Sequence, residues 1–262
     1  MAETGTSEAG ADVVTAGLIV IGDEVLSGRT RDKNIGHVAE KLTETGIQLK
    51  EVRIVADDQA AIVEAVNTLR ERYDYVFTTG GIGPTHDDIT ADAIGAAFGL
   101  PVEMDPRAVD ILQRHFRESQ LTPARMRMTR MPAGAELIEN PVSAAPGFSV
   151  ENVYVMAGVP QIMQAMLDDV LPRLRAGQKI LSRTIRVSGR EGDIADILSE
   201  AQAAFPDIAI GSYPFHVDNR FGVNVVLRGP DPDRLMTAGG WVQDRLNERN
   251  MPNDVPGEDD LA

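Results

Sequence analysis

The chain has 262 residues, of which 43% are hydrophobic and none is cysteine. This length suits one large domain or a domain with a smaller partner, and the absence of cysteine excludes disulfides, thiolate metal sites and cysteine nucleophiles. The formal net charge of -15 opposes binding to nucleic acid outside a local basic patch.

The two ends of the chain are predicted to be tails. Residues 1–12 are small, polar and acidic, and they lack the basic and apolar regions of a secretory signal peptide. Residues 251–262 are rich in acids and are predicted to be a solvated acidic tail. No apolar run approaches the length of a membrane-spanning helix, so no membrane association is expected. The absence of cysteine fits a cytoplasmic protein, which is what we expect.

Strands and helices alternate over residues 15–98. Short Val- and Ile-rich runs indicate strands, and apolar residues spaced by three and four indicate helices. The strands are predicted at residues 15–21, 47–55 and 75–79, and the helices at about 32–45, 59–72 and 89–98. This βαβαβα order predicts an α/β fold, namely a three-layer α/β/α sandwich with a mostly parallel sheet. The strand at 47–55 alternates in polarity, which suits an edge position.

The rest of the chain completes this domain and adds a second one. One helix is predicted to begin at Pro106, and two more are predicted over residues 122–131 and 160–175. Strands are predicted at 135–138, 148–150 and 153–157. A β-α-β-β-α pattern follows and indicates a small α+β domain. The predicted domains are therefore residues 13–176 and 177–250.

A glycine-rich segment after the buried strand 75–79 is the leading candidate for a ligand site. Gly80, Gly81 and Gly83 let the backbone turn tightly and come close to a ligand. Open α/β sheets bind ligands at the carboxyl ends of strands, where free N–H groups favour phosphate. The adjacent Asp87 and Asp88 oppose a bare anion, so a bridging cation such as Mg²⁺ is expected. The simpler alternative is a tight connection whose Asp residues cap the next helix.

Other phosphate motifs do not fit this segment. No Gly-Lys-Ser/Thr follows the glycines, so the segment is not a P-loop. His86 stands where the dinucleotide fingerprint needs its third glycine, and Pro84 removes an N–H donor. The densest basic stretch, residues 114–130, is predicted to be either a solvated helix face or a contact to a substrate phosphate.

Three segments occur in an order and spacing that resemble a known family. They are residues 22–34 (GDEVLSGRTRDKN), 79–88 (TGGIGPTHDD) and 158–160 (GVP). They resemble the molybdopterin-binding (MoaB/Mog-like) domain at the N-terminus of the competence/damage-inducible protein CinA, and the related domain of eukaryotic FAD synthases. The small second domain stands where CinA proteins have a KH-like domain. The C-terminal amidohydrolase domain of long CinA proteins is not expected, so nicotinamide-nucleotide deamidation is not implied.

The resemblance implies a pocket for a phosphorylated pterin, such as molybdopterin, or for a nucleotide. Some members resemble pyrophosphatases of ADP-ribose or FAD that depend on Mg²⁺, Mn²⁺ or Co²⁺, which supplies the alternative function. In that interpretation Asp87 and Asp88 hold the metal or orient water. The expected ligand contacts are Gly80, Gly81, Gly83, Thr85, Asp23, Glu24, Ser27, Asn34, Asp58, Gly158 and Pro160. The family also favours a homo-oligomer, either a dimer or a trimer.

Departures from the family pattern bear on the choice between binding and hydrolysis. Ser143 and Ala144 replace the Gly-Thr pair of the family's Asn-x-x-Gly-Thr-Ala-Pro-Gly loop, and Ile162 replaces a carboxylate. Because the pocket rim loses polar groups and a glycine, we expect binding rather than hydrolysis. A third hypothesis, a nucleic-acid adaptor acting through the KH-like part, is opposed by the net charge and by the lack of a Gly-x-x-Gly clamp between helices. No nucleic-acid partner is therefore expected.

Overall fold

The computed structural model describes residues 13–217 and 220–256 of the chain. These residues divide after Gln178 into two compact units, which are described separately. The predicted tail at 1–12 and the last six residues of the predicted acidic tail, 257–262, lie outside the described residues. Within the described ranges, no helix combines the length and the apolar character that crossing a membrane requires.

The first unit is built around a six-stranded sheet. The strands of this unit are β1 (Val14–Ile21), β2 (Ile47–Val55), β3 (Tyr75–Thr79), β4 (Val102–Met104), β5 (Arg130–Pro132), β6 (Glu136–Ile138), β7 (Gly147–Val150) and β8 (Val153–Met156). Strands β4 and β5 form a separate pair, and the other six form the large sheet. The order in the large sheet is β2-β1-β3-β8-β7-β6. The first four are mutually parallel, and β7 and β6 are antiparallel additions. The predicted mostly parallel sheet is confirmed, and β2 lies at its edge as expected.

Seven α-helices accompany this sheet in the described part of the first unit. They are α1 (Asp23–Leu26), α2 (Asn34–Glu44), α3 (Gln59–Arg72), α4 (Thr90–Phe98), α5 (Pro106–His115), α6 (Pro123–Arg127) and α7 (Pro160–Val170). Several begin at the signals that the sequence carries. The Asp58 carboxylate accepts a hydrogen bond from Ala61 N at 2.9 Å, and Asp105 accepts one from Arg107 N at 2.8 Å. Each such cap stabilises its helix by about 1 kcal/mol.

Two apolar layers cover the two faces of the sheet. Successive residues of a strand point to opposite faces, so Leu18 belongs to one cluster and Ile19 to the other. The first cluster includes Leu42 of α2 and Met163 of α7. The second cluster contains side chains of α3 and α4, such as Ile62 and Ile94. The chain therefore forms the predicted three-layer α/β/α sandwich.

One predicted helix is partly replaced by a strand. The helix expected over residues 122–131 ends at Arg127, and β5 follows as a partner of β4, with Met131 opposite Glu103. Met131 is 1% exposed. Its burial in the layer formed by α3 and α4 is a tertiary interaction that local helix propensity does not contain.

The second unit is a two-layer α+β domain, as predicted. Its elements are β9 (Leu181–Ser188), α8 (Ala195–Ala204), β10 (Ala209–Val217), β11 (Arg220–Gly229), α9 (Pro232–Glu248) and β12 (Asn253–Asp254). The strands form an antiparallel sheet in the order β10-β11-β9-β12. Helices α8 and α9 share one apolar cluster with the strands, to which Ile197 and Val242 contribute. Strand β12 lies within the residues predicted as an acidic tail.

Candidate functional site

A cleft of about 590 Å³ lies at the carboxyl edge of the parallel strands in the first unit. Its lining comes from the segments that follow β1, β2, β3 and β8, from the loop between β6 and β7, and from Met128. The carboxyl ends of adjacent parallel strands meet at one edge, which is where open α/β sheets bind ligands. The glycine-rich segment forms one wall of this cleft.

The turn after β3 requires glycine at two positions. Gly80 and Gly81 have φ angles of 105° and 67°, in the left-handed region. A Cβ on Gly80 would lie 2.2 Å from Ile21 O, and one on Gly81 would lie 2.1 Å from Thr90 Oγ1. Thr90 is fully buried, and its hydroxyl donates to Gly80 O at 3.0 Å while its N–H donates to Gly81 O at 3.0 Å. Thr90 therefore holds both carbonyls of the turn at the start of α4.

The two acids of this segment do not cap α4, so the capping role in the simpler sequence interpretation is wrong. The N-cap residue is Ile89, and no side chain caps the helix. The Asp88 carboxylate instead accepts hydrogen bonds from the Thr85 N–H at 2.8 Å and from the Thr85 hydroxyl. Asp87 and Asp88 both line the cleft. Thr85 is not among the lining residues, and it acts on the site by fixing Asp88.

The cleft carries four carboxylates and, among the described residues that line it, no Lys, Arg or His. The acids are Glu24, Asp57, Asp87 and Asp88. Asp57 accepts a hydrogen bond from Asp23 N at 3.0 Å. Burial raises the pKa of Asp57, and the neighbouring carboxylates of Asp23, Glu24 and Asp87 raise it further. The electrostatic field in the cleft is therefore strongly negative.

The acid set of the cleft fits a divalent cation only in part. The described residues contain no group of three or more His, Cys, Asp or Glu side chains arranged to hold a metal ion. Mg²⁺ is commonly bound by only one or two carboxylates, together with ligand phosphates and water. Asp87 and Asp88 supply a partial set of this kind, which a phosphorylated ligand would complete.

Besides Thr85, four of the predicted contacts lie outside the lining of the cleft: Asp23, Ser27, Asn34 and Asp58. Asp58 caps α3, and it is the adjacent Asp57 that lines the cleft. The Ser27 hydroxyl donates to Glu24 O at 3.3 Å. Asn34 is 3% exposed, and its Nδ2 donates to Gly158 O at 2.9 Å. Asn34 thus positions the segment at Gly158, which forms the wall of the cleft opposite the glycine-rich segment.

The opposite wall is the start of α7, where Gly158 and Pro160 line the cleft as predicted. A Cβ on Gly158 would lie 3.2 Å from the Cα of Gly80, so the two glycine segments are in close contact. Pro160 occupies the first turn of the helix. The positive end of the dipole of α7 therefore faces the cleft and favours a negatively charged group there.

Asn140 is a lining residue that the sequence prediction did not include. Its side chain is 7% exposed. Its Nδ2 donates to Ser143 Oγ and to Ala145 O, each at 2.7 Å, and its Oδ1 accepts from Val142 N and Ser143 N, each at 3.1 Å. An Asn that bonds to the backbone two residues on is a recognised turn signal, and the segment Asn140-Pro141 carries it.

Comparisons with known proteins cover both units. The family profile described as "Probable molybdopterin binding domain" matches residues 17–176. A second profile, "FAD synthase, middle domain", matches residues 179–255.

Individual relatives match at about one third identity. A protein of Archaeoglobus fulgidus is 33% identical over 232 residues, which are 88% of this chain and 98% of that protein. A CinA-like protein of Citrifermentans bemidjiense is 34% identical over 258 residues, which are 93% of this chain but 61% of that longer relative. A crystal structure of the protein CinA, of unknown function, from Thermoplasma acidophilum is 33% identical with a TM-score of 0.58, and the match covers 62% of this chain and 98% of that one.

Proposed function

The chain belongs to the molybdopterin-binding domain family and is CinA-like, and on this premise we propose that it binds a phosphorylated pterin or nucleotide in the cleft. The observation that carries the proposal is the glycine turn at Gly80 and Gly81, which opens one wall of the cleft. The Cβ positions of the two glycines point at Ile21 O and Thr90 Oγ1, so backbone rather than side chains forms this wall, and a ligand can come close to it. The facing wall adds the N-terminus of α7, which favours phosphate.

The four cleft carboxylates bear on how such an anion is held. A phosphate beside Glu24, Asp57, Asp87 and Asp88 meets repulsion unless a cation is bound with it. A divalent ion such as Mg²⁺, Mn²⁺ or Co²⁺ would neutralise phosphoryl oxygens when bound. We propose that Asp87 and Asp88 hold it, with Thr85 fixing the Asp88 carboxylate through its N–H and hydroxyl.

The names of the two matching profiles suggest which ligands to test first. One names molybdopterin and the other names FAD synthase. Molybdopterin, FAD and ADP-ribose all join a phosphate or pyrophosphate to a larger organic group. A large cleft with a glycine wall suits this chemistry, and we propose that the organic group occupies the main volume of the cleft.

The proposal is tested by equilibrium binding of these three compounds with and without Mn²⁺. Val159 lines the cleft and is 55% exposed, so Val159→Trp fills the cleft without disturbing the core. Val142 is 52% exposed and does not line the cleft, which makes Val142→Trp the matched control. We expect binding to the wild type and the control and a loss of at least about tenfold in Val159→Trp. Absence of binding to all three compounds at millimolar concentrations would overturn the proposal.

Hydrolysis of a nucleotide pyrophosphate stays a prediction and ranks below binding. Ile162 lines the cleft at the position where the family has a carboxylate, so the wall at α7 contributes no acid there. Incubation with ADP-ribose and Mn²⁺, followed by chromatography for AMP, measures the activity. Release of AMP that disappears in Asp88→Asn would place hydrolysis at this site.

A further inference from the structure

A narrow niche adjoins the cleft on the far side of the glycine segment. The two share Gly81, Ile82, Gly83, Asp88 and Met128 as lining residues. The niche alone is also lined by two arginines, Arg127 and Arg130. It thus brings positive charge next to the acidic cleft.

The two arginines differ in their partners. Arg130 is paired with Asp92 of α4 through two hydrogen bonds, of 2.7 Å and 3.0 Å. A bidentate pair of this kind occupies the guanidinium and neutralises its charge. Arg130 therefore keeps β5 in place against α4 and is not free to bind a ligand.

Arg127 has no such partner within the described ranges. It is the last residue of α6, and its Nε is buried without a hydrogen-bond acceptor. A buried N–H that lacks an acceptor destabilises the fold. An arginine that serves only as a solvated surface charge would keep all its donors in water, so the burial of Nε argues against that interpretation of the basic stretch.

The charge of the neighbouring cleft makes this arginine significant. The described lining of the cleft holds four carboxylates and no cationic side chain. A phosphorylated ligand that lies against Gly81 and Gly83 therefore meets Arg127 as the one unpaired cation among the described residues of the niche. The planar guanidinium presents several donors in a geometry that matches phosphate oxygens.

We propose that Arg127 binds one oxygen of a phosphoryl group that lies in the cleft against the Gly81–Gly83 turn. The niche, with a volume of about 20 Å³, has room for that single oxygen and not for the whole group. This inference rests on the proposed function and adds to it the side chain that selects phosphorylated ligands. The organic part of the ligand then lies in the main cleft. Asp88, which lines both cavities, stands at the boundary between the two parts.

The test compares phosphorylated and phosphate-free probes in the full chain. ADP-ribose is compared with adenosine, and FAD with riboflavin, by titration calorimetry. We expect Arg127→Gln to weaken ADP-ribose and FAD binding by about 10- to 100-fold, because a charge-assisted hydrogen bond is lost, and to leave adenosine and riboflavin unchanged. Arg127→Lys keeps the charge and should recover part of the loss.

The matched control removes the same charge elsewhere. Arg114 is 72% exposed and pairs with Asp110 one helical turn away, so Arg114→Gln should bind all four probes as the wild type does. Thermal unfolding supplies an independent readout, since Arg127→Gln should not lower Tm if the buried Nε has no partner to lose. A fall in Tm together with equal weakening for both kinds of probe would show a structural role and overturn the inference.

The outcomes separate this inference from the proposed function. If the wild type prefers ADP-ribose to adenosine and Arg127→Gln keeps that preference, the cleft binds ligand and the assignment of Arg127 is wrong. If the wild type binds neither ADP-ribose nor FAD, both are overturned. A preference that disappears in Arg127→Gln and partly returns in Arg127→Lys supports both.

Discussion

The ionised form of Asp57 is destabilised by its surroundings in the cleft. Burial and three neighbouring carboxylates raise its pKa above the ordinary value of an aspartate. Between that ordinary value and the raised one, the folded chain binds more protons than the unfolded chain. The free energy of unfolding therefore falls as pH rises through this window. An acid kept at such a cost is typical of a functional site.

Replacing Asp57 by Asn should remove this cost. The Asn Oδ1 can still accept the hydrogen bond from Asp23 N, which is 3.0 Å long. We expect Asp57→Asn to be as stable as the wild type at about pH 3, below both pKa values, and more stable at about pH 8, by less than about 1 kcal/mol, since the group is partly exposed and screened. Denaturant unfolding at the two pH values measures it. A variant less stable than the wild type at both would contradict the assigned repulsion.

At the residue scale the sequence predicted segments that line the cleft, but not every side chain in it. Asp58 was expected in the cleft, yet its carboxylate bonds to Ala61 N, and the adjacent Asp57 faces the cleft. One residue of offset at a strand end reverses which side chain points inward, and local pattern does not determine it. Arg127 could be proposed only as one of several basic residues, because its place beside Gly81 depends on long-range packing.

At the scale of elements, the turn between β3 and α4 is the feature on which the site depends. Gly81→Ala would force a left-handed conformation and place a Cβ 2.1 Å from the buried Thr90 hydroxyl. Gly28 has a φ of 72°, and nothing lies within 4 Å of the position that a Cβ would take there, so it is a matched control for backbone strain alone. We expect losses of about 1–2 kcal/mol for Gly28→Ala and more than about 3 kcal/mol for Gly81→Ala.

Denaturant unfolding of both variants measures these losses. Equal losses for the two variants would show that a side chain at Gly81 costs no more than backbone strain, and would contradict the close packing of Gly81 against Thr90 of α4. A larger loss for Gly81→Ala would support it.

Elements with local start and stop signals could be predicted well. Helix α3 begins at the predicted residue because Asp58 caps it. The pair β4–β5 and the short helix α1 were not predicted. A three-residue strand has no period to detect, and β5 exists because it pairs with a segment more than twenty residues away.

At the scale of the whole molecule, every described residue that lines the cleft belongs to the first unit. We therefore expect a chain of residues 13–178 to unfold cooperatively and to bind ADP-ribose or FAD within about threefold of the full chain. Calorimetric titration of this shortened chain measures it. A shortened chain that folds but has lost binding would contradict the assignment of the whole site to one unit.

The expectations about assembly and partners stay predictions. The homo-oligomer follows from the family resemblance, and sedimentation equilibrium of the full chain would distinguish a monomer from a dimer or trimer. The expectation that nucleic acid is not a partner follows from the net charge of -15. An electrophoretic shift assay with RNA at low salt tests it.

The most direct test of the central claim is a crystal of the full chain soaked with ADP-ribose and Mn²⁺. We predict density in the cleft, with a phosphoryl group against Gly81 and Arg127 and a metal ion beside Asp88. Density for the ligand elsewhere on the protein, or an empty cleft at a concentration that saturates binding in solution, would contradict it.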